Sequence, residues 1–390
     1  MKKTDAIWTP RFLLVLLFTF FSMAAAMMTY PLVAKFSLTL NPDLTLASTI
    51  AGLMSLMSLF VCPFAGVLSD RFSKKTILQV SSVCYGIVLI GHSFVNSIPM
   101  LIALRLLIGI FFSINNVTAV AFSTEFIPSH RMGEGLGYAA LSSVLAQAVG
   151  PALGLRLVEK GGYSLVFICA AVSIFLCAVV ITFLPGKKPD TDGAAKRKIT
   201  LDSLMAVEFT GFMLLAALFS AGSGLISTYL AIIGDERHIA NIAIYFTIHS
   251  IIMVARKPIT GRLLDRKGVY FLVVPSVLLV SLGMAVLGFS YTLTAVMAAS
   301  VIIAIGQGAG VPSLQADVIK KLDKSRTGVA TSTIQIGQNI GNAVAPMMGS
   351  FFVKAFGYDR TFSGFGVLLT VLGWLILFLH SRKEKKNGIN

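Results

Sequence analysis

The chain has 390 residues, 56% of them hydrophobic and 13% charged, where soluble domains carry about 25% charged residues. A soluble chain this apolar could not cover its own surface, which excludes an ordinary soluble enzyme, a disordered protein and a secreted disulfide scaffold. The net charge of +15 would suggest nucleic acid in a soluble protein. Here the basic residues sit in short segments between apolar runs, the pattern of cytoplasmic loops in a polytopic helical membrane protein, so the expected environment is a lipid bilayer and no nucleic acid is expected.

A spanning helix needs about 20 mostly apolar residues. In chain order the sequence offers twelve: roughly 12–34, 46–68, 76–95, 99–124, 134–157, 163–184, 203–233, 239–264, 270–290, 293–318, 327–353 and 360–380. Lys2-Lys3 and Ala24-Ala25-Ala26 imitate a signal peptide, but the apolar stretch continues past the alanines, so an uncleaved first helix is expected. Cys62, Cys84, Cys169 and Cys177 all lie inside apolar runs, as small buried residues rather than disulfide partners. Sorting Lys and Arg by loop places twenty-three on one side and six on the other. That bias puts both termini in the cytoplasm, which an even number of spans requires.

An offset of 195 residues brings one half of the chain onto the other without a gap. Pro63, Gly66, Leu68, Asp70 and Arg71 fall on Pro258, Gly261, Leu263, Asp265 and Arg266. Arg131 and Gly133 fall on Arg326 and Gly328, Pro151 and Gly154 on Pro346 and Gly349, and Gly162, Tyr163 and Phe167 on Gly357, Tyr358 and Phe362. The implied organisation is a six-helix half at 1–184, a polar basic linker at 185–202 and a second half at 203–390. Six is even, so the halves share one orientation. Such repeats place a substrate site near the bilayer midplane at the repeat interface, opened to each side by rocking.

The loop after the second span reads Gly66-Val-Leu-Ser-Asp70-Arg71-Phe-Ser-Lys74-Lys75, and its copy reads Gly261-Arg-Leu-Leu-Asp265-Arg266-Lys-Gly268. Gly permits close helix approach, Asp can bond a helix start, and Arg can pair with a carboxylate, for which Glu125 is the candidate. The cluster can serve as a conformational latch. With this loop, its copy and twelve spans, the chain resembles the major facilitator superfamily over essentially its whole length. Ser73 stands where that family usually has Gly. The resemblance implies an all-α integral membrane fold of twelve transmembrane helices in two parallel six-helix repeats, and a secondary transporter rather than an enzyme.

Leu101-Ile-Ala-Leu-Arg105-Leu-Leu-Ile-Gly109 is similar to the family's fourth-helix motif, whose Arg is associated with proton coupling. Arg105 lies about 9 Å below the outer boundary at 1.5 Å per residue. At that depth a charge is a functional candidate, with a side chain reaching back to the interface as the alternative. Gly150-Pro151-Ala-Leu-Gly154 is similar to the core of the motif that marks antiporter branches, where it would allow a kink and close packing against a helix from the other half. Glu208, expected about four to six residues inside the seventh span, reads either as a buried proton carrier or as an interfacial residue on a helix dipole. His249 reads as a titrating group or as a satisfied packing histidine. The first span has no Asp or Glu between Arg11 and Lys35, where many drug/proton antiporters of the family place one.

Polar candidates for a substrate cavity are Tyr30, Asn115, Asn116, Gln147, Gln307, Gln338, Asn342 and Arg256, some of which serve as interhelical glue. Gly306-Gln-Gly308-Ala-Gly310 follows no strand and is not a nucleotide loop. No metal cluster, nucleophile triad or cofactor-binding loop is evident in the sequence. The expectation is a monomeric, multi-pass exporter of the bacterial inner membrane, exchanging small amphiphilic organic molecules for protons. The alternative is an importer or uniporter of a small metabolite, such as an organic anion drawn by Arg105 and Arg256.

Overall fold

The computed structural model describes residues 7–128, 131–186, 206–322 and 327–387. The 185–202 linker therefore lies almost wholly outside the described residues. No strand occurs among them. Eight stretches are long and apolar enough to cross a membrane. Three long helical runs are interrupted at Gly161–Gly162, Gly268 and Gly357, where the backbone leaves helical geometry. Divided there, the helices are α1 (Pro10–Leu40, tightened to a 3₁₀ turn at Tyr30–Leu32), α2 (Leu44–Arg71), α3 (Lys74–His92), α4 (Ile98–Ser123), α5 (132–160) and α6 (163–182). The second series is α7 (Thr210–Glu236), α8 (244–267), α9 (269–288), α10 (Leu293–Lys321), α11 (327–356) and α12 (358–387). Among the described residues these twelve helices correspond to the twelve apolar runs read from the sequence, with boundaries moved by several residues.

The breaks explain two features of the repeat. Gly162 and Gly357, which coincide at the 195-residue offset, have φ of 73° and 76°, a region costly for any residue with a Cβ. Gly268 has φ 77°, whereas its counterpart Ser73 has φ −59° and ψ 114°. The α2–α3 joint therefore has no need of glycine, and the departure from the family pattern at Ser73 is conformationally free.

The chain divides into two compact units, one of residues 1–42 and 57–198, the other of 43–56 and 199–390. The boundary differs from the half-and-half division of the sequence, because the first turns of α2 pack with the second unit. In the first unit, Val15 and Phe18 of α1, Leu78 of α3, Phe122 of α4 and Cys177 and Ile181 of α6 form one apolar cluster. At another level Met28 and Leu32 of α1 meet Val166 of α6 and the end of α5.

In the second unit small residues let backbones touch. A Cβ on Gly306 of α10 would lie 2.6 Å from a Val280 methyl and 2.8 Å from the Ser276 carbonyl oxygen of α9. One on Gly366 of α12 would lie 2.6 Å from the Ser281 carbonyl oxygen. Gly337 and Gly341 of α11 abut the Met213 and Ala217 carbonyls of α7 in the same way. Lipid tails supply no hydrophobic drive between helices, so this packing is the main source of cohesion.

Candidate functional site

In the first unit Arg105 of α4 is wholly buried. Tyr30, at the 3₁₀ turn of α1, and the buried Tyr85 of α3 are its electrostatic neighbours, and the buried His92 at the end of α3 also feels its charge. His92 places Nδ1 2.9 Å from the Val88 carbonyl and its ring 5.0 Å from that of Phe167. A second polar knot centres on Asn115 of α4, 1% exposed. Ser22 of α1 donates to its Oδ1 at 3.0 Å, and its Nδ2 donates to Ser82 of α3 at 2.7 Å. Asn115 thus ties three helices together. Asn116 is half-buried beside it, and Gln147 of α5 is exposed.

In the second unit His249 and Gln307, both candidates from the sequence, meet. His249 Nε2 lies 3.0 Å from Gln307 Oε1, and Gln307 Nε2 donates to Ser223 Oγ at 3.0 Å. An amide oxygen can only accept, so this contact assigns the proton to Nε2. The Tyr245 ring stacks on the imidazole at 5.8 Å and 20°. The chain therefore runs from α8 through α10 to α7. Ser223 was missed in the sequence, where one serine among apolar residues carries no distinguishing signal. Arg256 of α8 donates to the Ile305 carbonyl of α10. Gln338 and Asn342 of α11 are half-buried, the latter against Gly224 of α7.

Four expectations change. Glu125 takes Lys74 as its partner at 2.8 Å, not Arg71, which is exposed. Lys75 donates to the carbonyls of Thr182 and Leu184 at 2.9 and 2.6 Å. The two lysines of the motif thus fasten the start of α3 to the ends of α4 and α6, satisfying carbonyls that a helix terminus leaves open. The Asp70 side chain lies outside the described residues. In the copied loop Asp265 accepts from Lys320 at 2.5 Å, and Arg266 is exposed.

The motif glycines make no close helix approach, since a Cβ on Gly66 or Gly261 would meet nothing within 4 Å. The face of α5 bearing Gly150, Pro151 and Gly154 does approach a helix closely, but that helix is α1 of its own unit. A Cβ on Gly150 would lie 2.6 Å from Met27 Cβ, and one on Gly154 would run into the Met28 carbonyl. A small-residue face fits any near backbone, so sequence could not say which. Glu208 falls in a 3₁₀ turn, Val207–Phe209, before α7 begins at Thr210. It is half-buried at the helix terminus rather than several residues inside.

The segment 43–56 is held to α7 and α11 by polar ties. Tyr229 donates to Ser48 Oγ, and its hydroxyl lies 2.8 Å from both that oxygen and the Pro346 carbonyl. A Cβ on Gly52 would lie 2.6 Å from the Ala343 carbonyl oxygen. Asp43 accepts from Lys354 at 2.6 Å. That bond, with the Thr45 amide, holds the Asp43 carboxyl below its ordinary range. A lowered carboxyl pKa contributes stability above the unfolded value near 4, lost as pH falls through the folded one. Asp43→Asn is therefore expected to lower the melting temperature slightly at pH 7 and by progressively less as pH falls below about 4, as read by thermal unfolding in detergent. A difference that does not shrink as the pH falls would contradict this role.

Comparison with known proteins adds the following. The model of the Major Facilitator Superfamily matches residues 15–209 and 212–390. An uncharacterized MFS-type transporter of Methanocaldococcus jannaschii is 23% identical over 93% of this chain and 95% of its own length. Multidrug resistance protein MdtG of Proteus mirabilis is 24% identical over 79% of each chain. Among solved structures, a POT family transporter in complex with 5-aminolevulinic acid superposes with TM-score 0.81 at 15% identity, over 95% of this chain and 96% of its own. The nucleoside transporter NupG superposes with TM-score 0.80 at 12% identity, over 94% and 98%.

Proposed function

The chain belongs to the Major Facilitator Superfamily, a family of transport proteins and not of enzymes, and from that premise we propose that this multi-pass membrane protein exports small amphiphilic organic molecules in exchange for protons. Likeness to MdtG over four fifths of both chains supports export. The observation that carries proton exchange is the His249–Gln307–Ser223 chain, a titratable ring held by two polar side chains inside the membrane. Intramembrane ionisable groups mark proton and substrate paths.

In the proposed cycle His249 takes a second proton at Nδ1 and becomes a cation facing Tyr245. Arg105 supplies the fixed charge of the other unit. A cationic or amphiphilic substrate and the His249 proton then exclude one another, which couples their movements. Glu208, at the mouth of α7, has the smaller part. The repeat supports alternating access, in which the ties of residues 43–56 break and re-form. A monomer suffices for such a cycle, and both termini are assigned to the cytoplasm by the charge bias.

His249→Gln is expected to lower gradient-driven transport in proteoliposomes about tenfold, equivalent to ~1.4 kcal/mol. Substrate counterflow, which needs no net proton movement, should change little. Equal loss of both would make His249 a packing residue. The uptake alternative draws on anion attraction by Arg105 and Arg256. Arg256 donates to a backbone carbonyl of its own unit and so is partly engaged there. Accumulation in inside-out rather than right-side-out vesicles is the expected result, and the reverse would overturn the direction.

A further inference from the structure

The end of the second unit opposite its Lys-rich loops carries a cavity of about 630 Å³. Its floor is built from groups committed to one another. Arg237, with 7% of its side chain exposed, is ion-paired with Asp359 and donates to the Ser290 carbonyl at 2.6 Å. Its guanidinium also lies 4.4 Å above the Tyr291 ring. Tyr291 donates to the second Asp359 oxygen at 2.8 Å, a bond that raises the phenol above its ordinary range. These contacts join the ends of α7 and α9 to the α11–α12 joint, where Gly357 turns the chain. They fix the cavity without filling it.

The mouth of the cavity differs. Arg360 and Glu236 are both exposed and both line it. One Glu236 oxygen accepts from Tyr358 at 3.2 Å, leaving the other oxygen for an outside donor. Phe289 and Phe356, 58% and 56% exposed, form the walls. Phe289 also ends a stripe of exposed apolar side chains along α9, made of Phe271, Val274, Leu278 and Leu282. In a spanning helix such a stripe faces lipid, and aromatic residues at its end sit at headgroup level.

We propose that this cavity binds the headgroup of a zwitterionic phospholipid bearing a primary amine. Arg360 takes the phosphate, Glu236 accepts hydrogen bonds from the ammonium, and one acyl chain lies along the α9 stripe. Both charges of the ligand then find a partner of opposite sign, which neither an anionic lipid nor a simple cation achieves. The ammonium requirement follows from Glu236, because a quaternary amine has no N–H to donate. The site is independent of substrate and coupling ion, so it stands or falls apart from the export reading.

The full-length protein, purified and exchanged into nanodiscs of defined composition, provides the test by native mass spectrometry and thermal unfolding. Phosphatidylethanolamine is expected to be retained about tenfold more than phosphatidylglycerol or phosphatidylcholine, a gap of ~1.4 kcal/mol. It should also raise the melting temperature, as any ligand of the folded state does. Arg360→Gln, at an exposed position outside the buried network, should lose the preference while folding normally, and Glu236→Gln should lose the discrimination against phosphatidylcholine. Asp265→Asn, at the other end of the unit, should change neither. Retention indifferent to headgroup, or unaltered by both cavity substitutions, would overturn the proposal. So would equal stabilisation by soluble phosphoethanolamine, which would mark a solute site instead of a lipid site.

Discussion

Arg105→Met is expected to abolish gradient-driven transport in a protein that still folds and inserts. Arg105 is wholly buried, and an intramembrane charge marks a proton or substrate path. Methionine approximates the length of the side chain without its charge and fills the same space. An arginine whose role is structural would instead lose stability and transport together, since breaking a buried ionic arrangement destabilises by about 3–5 kcal/mol. Transport in proteoliposomes and melting temperature in detergent, measured on one preparation, separate the two. Loss of both in step would make Arg105 a packing element. Arg105→Lys should restore only part of the transport, because a point charge does not reproduce the planar fork of the guanidinium.

Gly154→Leu and Gly66→Leu should fail in different ways. At Gly154 the added side chain runs into the Met28 carbonyl of α1, and backbone cannot move aside as a flexible side-chain tip would. Overpacking of this kind costs typically 1–3 kcal/mol and sometimes more. With the kinked α1 against it, the expected result is poor expression and a melting temperature lowered by several degrees. At Gly66 nothing lies within 4 Å, so leucine should be accommodated and the protein should fold. A duplicated small residue facing open space has no packing reason in this conformation. If the transport cycle brings another helix against it, Gly66→Leu blocks turnover in a stable protein. Normal transport by Gly66→Leu would remove Gly66 from the conformational switch, and a stable Gly154→Leu would remove the α1–α5 contact as a source of cohesion.

The fold was largely legible before the structure. Twelve apolar runs and one gapless repeat leave few alternatives, and the glycines at 162, 268 and 357 mark three joints. Pairing was less legible. Arg71, Lys74 and Lys75 occupy one loop, and composition alone does not say which reaches Glu125. The Gly150–Gly154 face announces a close neighbour without naming it. Residues 43–56 belong to the first half by chain order, yet they fall in the second unit, with Ala47, Ile50, Ala51 and Met54 buried, since apolar residues carry no address. Glu208 stands in the turn that starts α7, the interfacial alternative of its two readings, and helix starts are the least legible part of any apolar run. Of the candidate site, His249 and Gln307 were visible as polar residues in apolar runs. Their hydrogen bond was not, since they are 58 residues apart and on different helices.

The 195-residue offset superimposes Glu125 on Lys320, and the two are fastened with opposite sign, one by Lys74 and the other by Asp265. At the same offset Lys74 falls on Val269 and Asp70 on Asp265, so the two ties use different positions of the duplicated loop. A chimera carrying the first half twice would keep a Lys74–Glu125 tie in each copy and lose the Asp265–Lys320 tie, so each loop would still be closed on its own helix end.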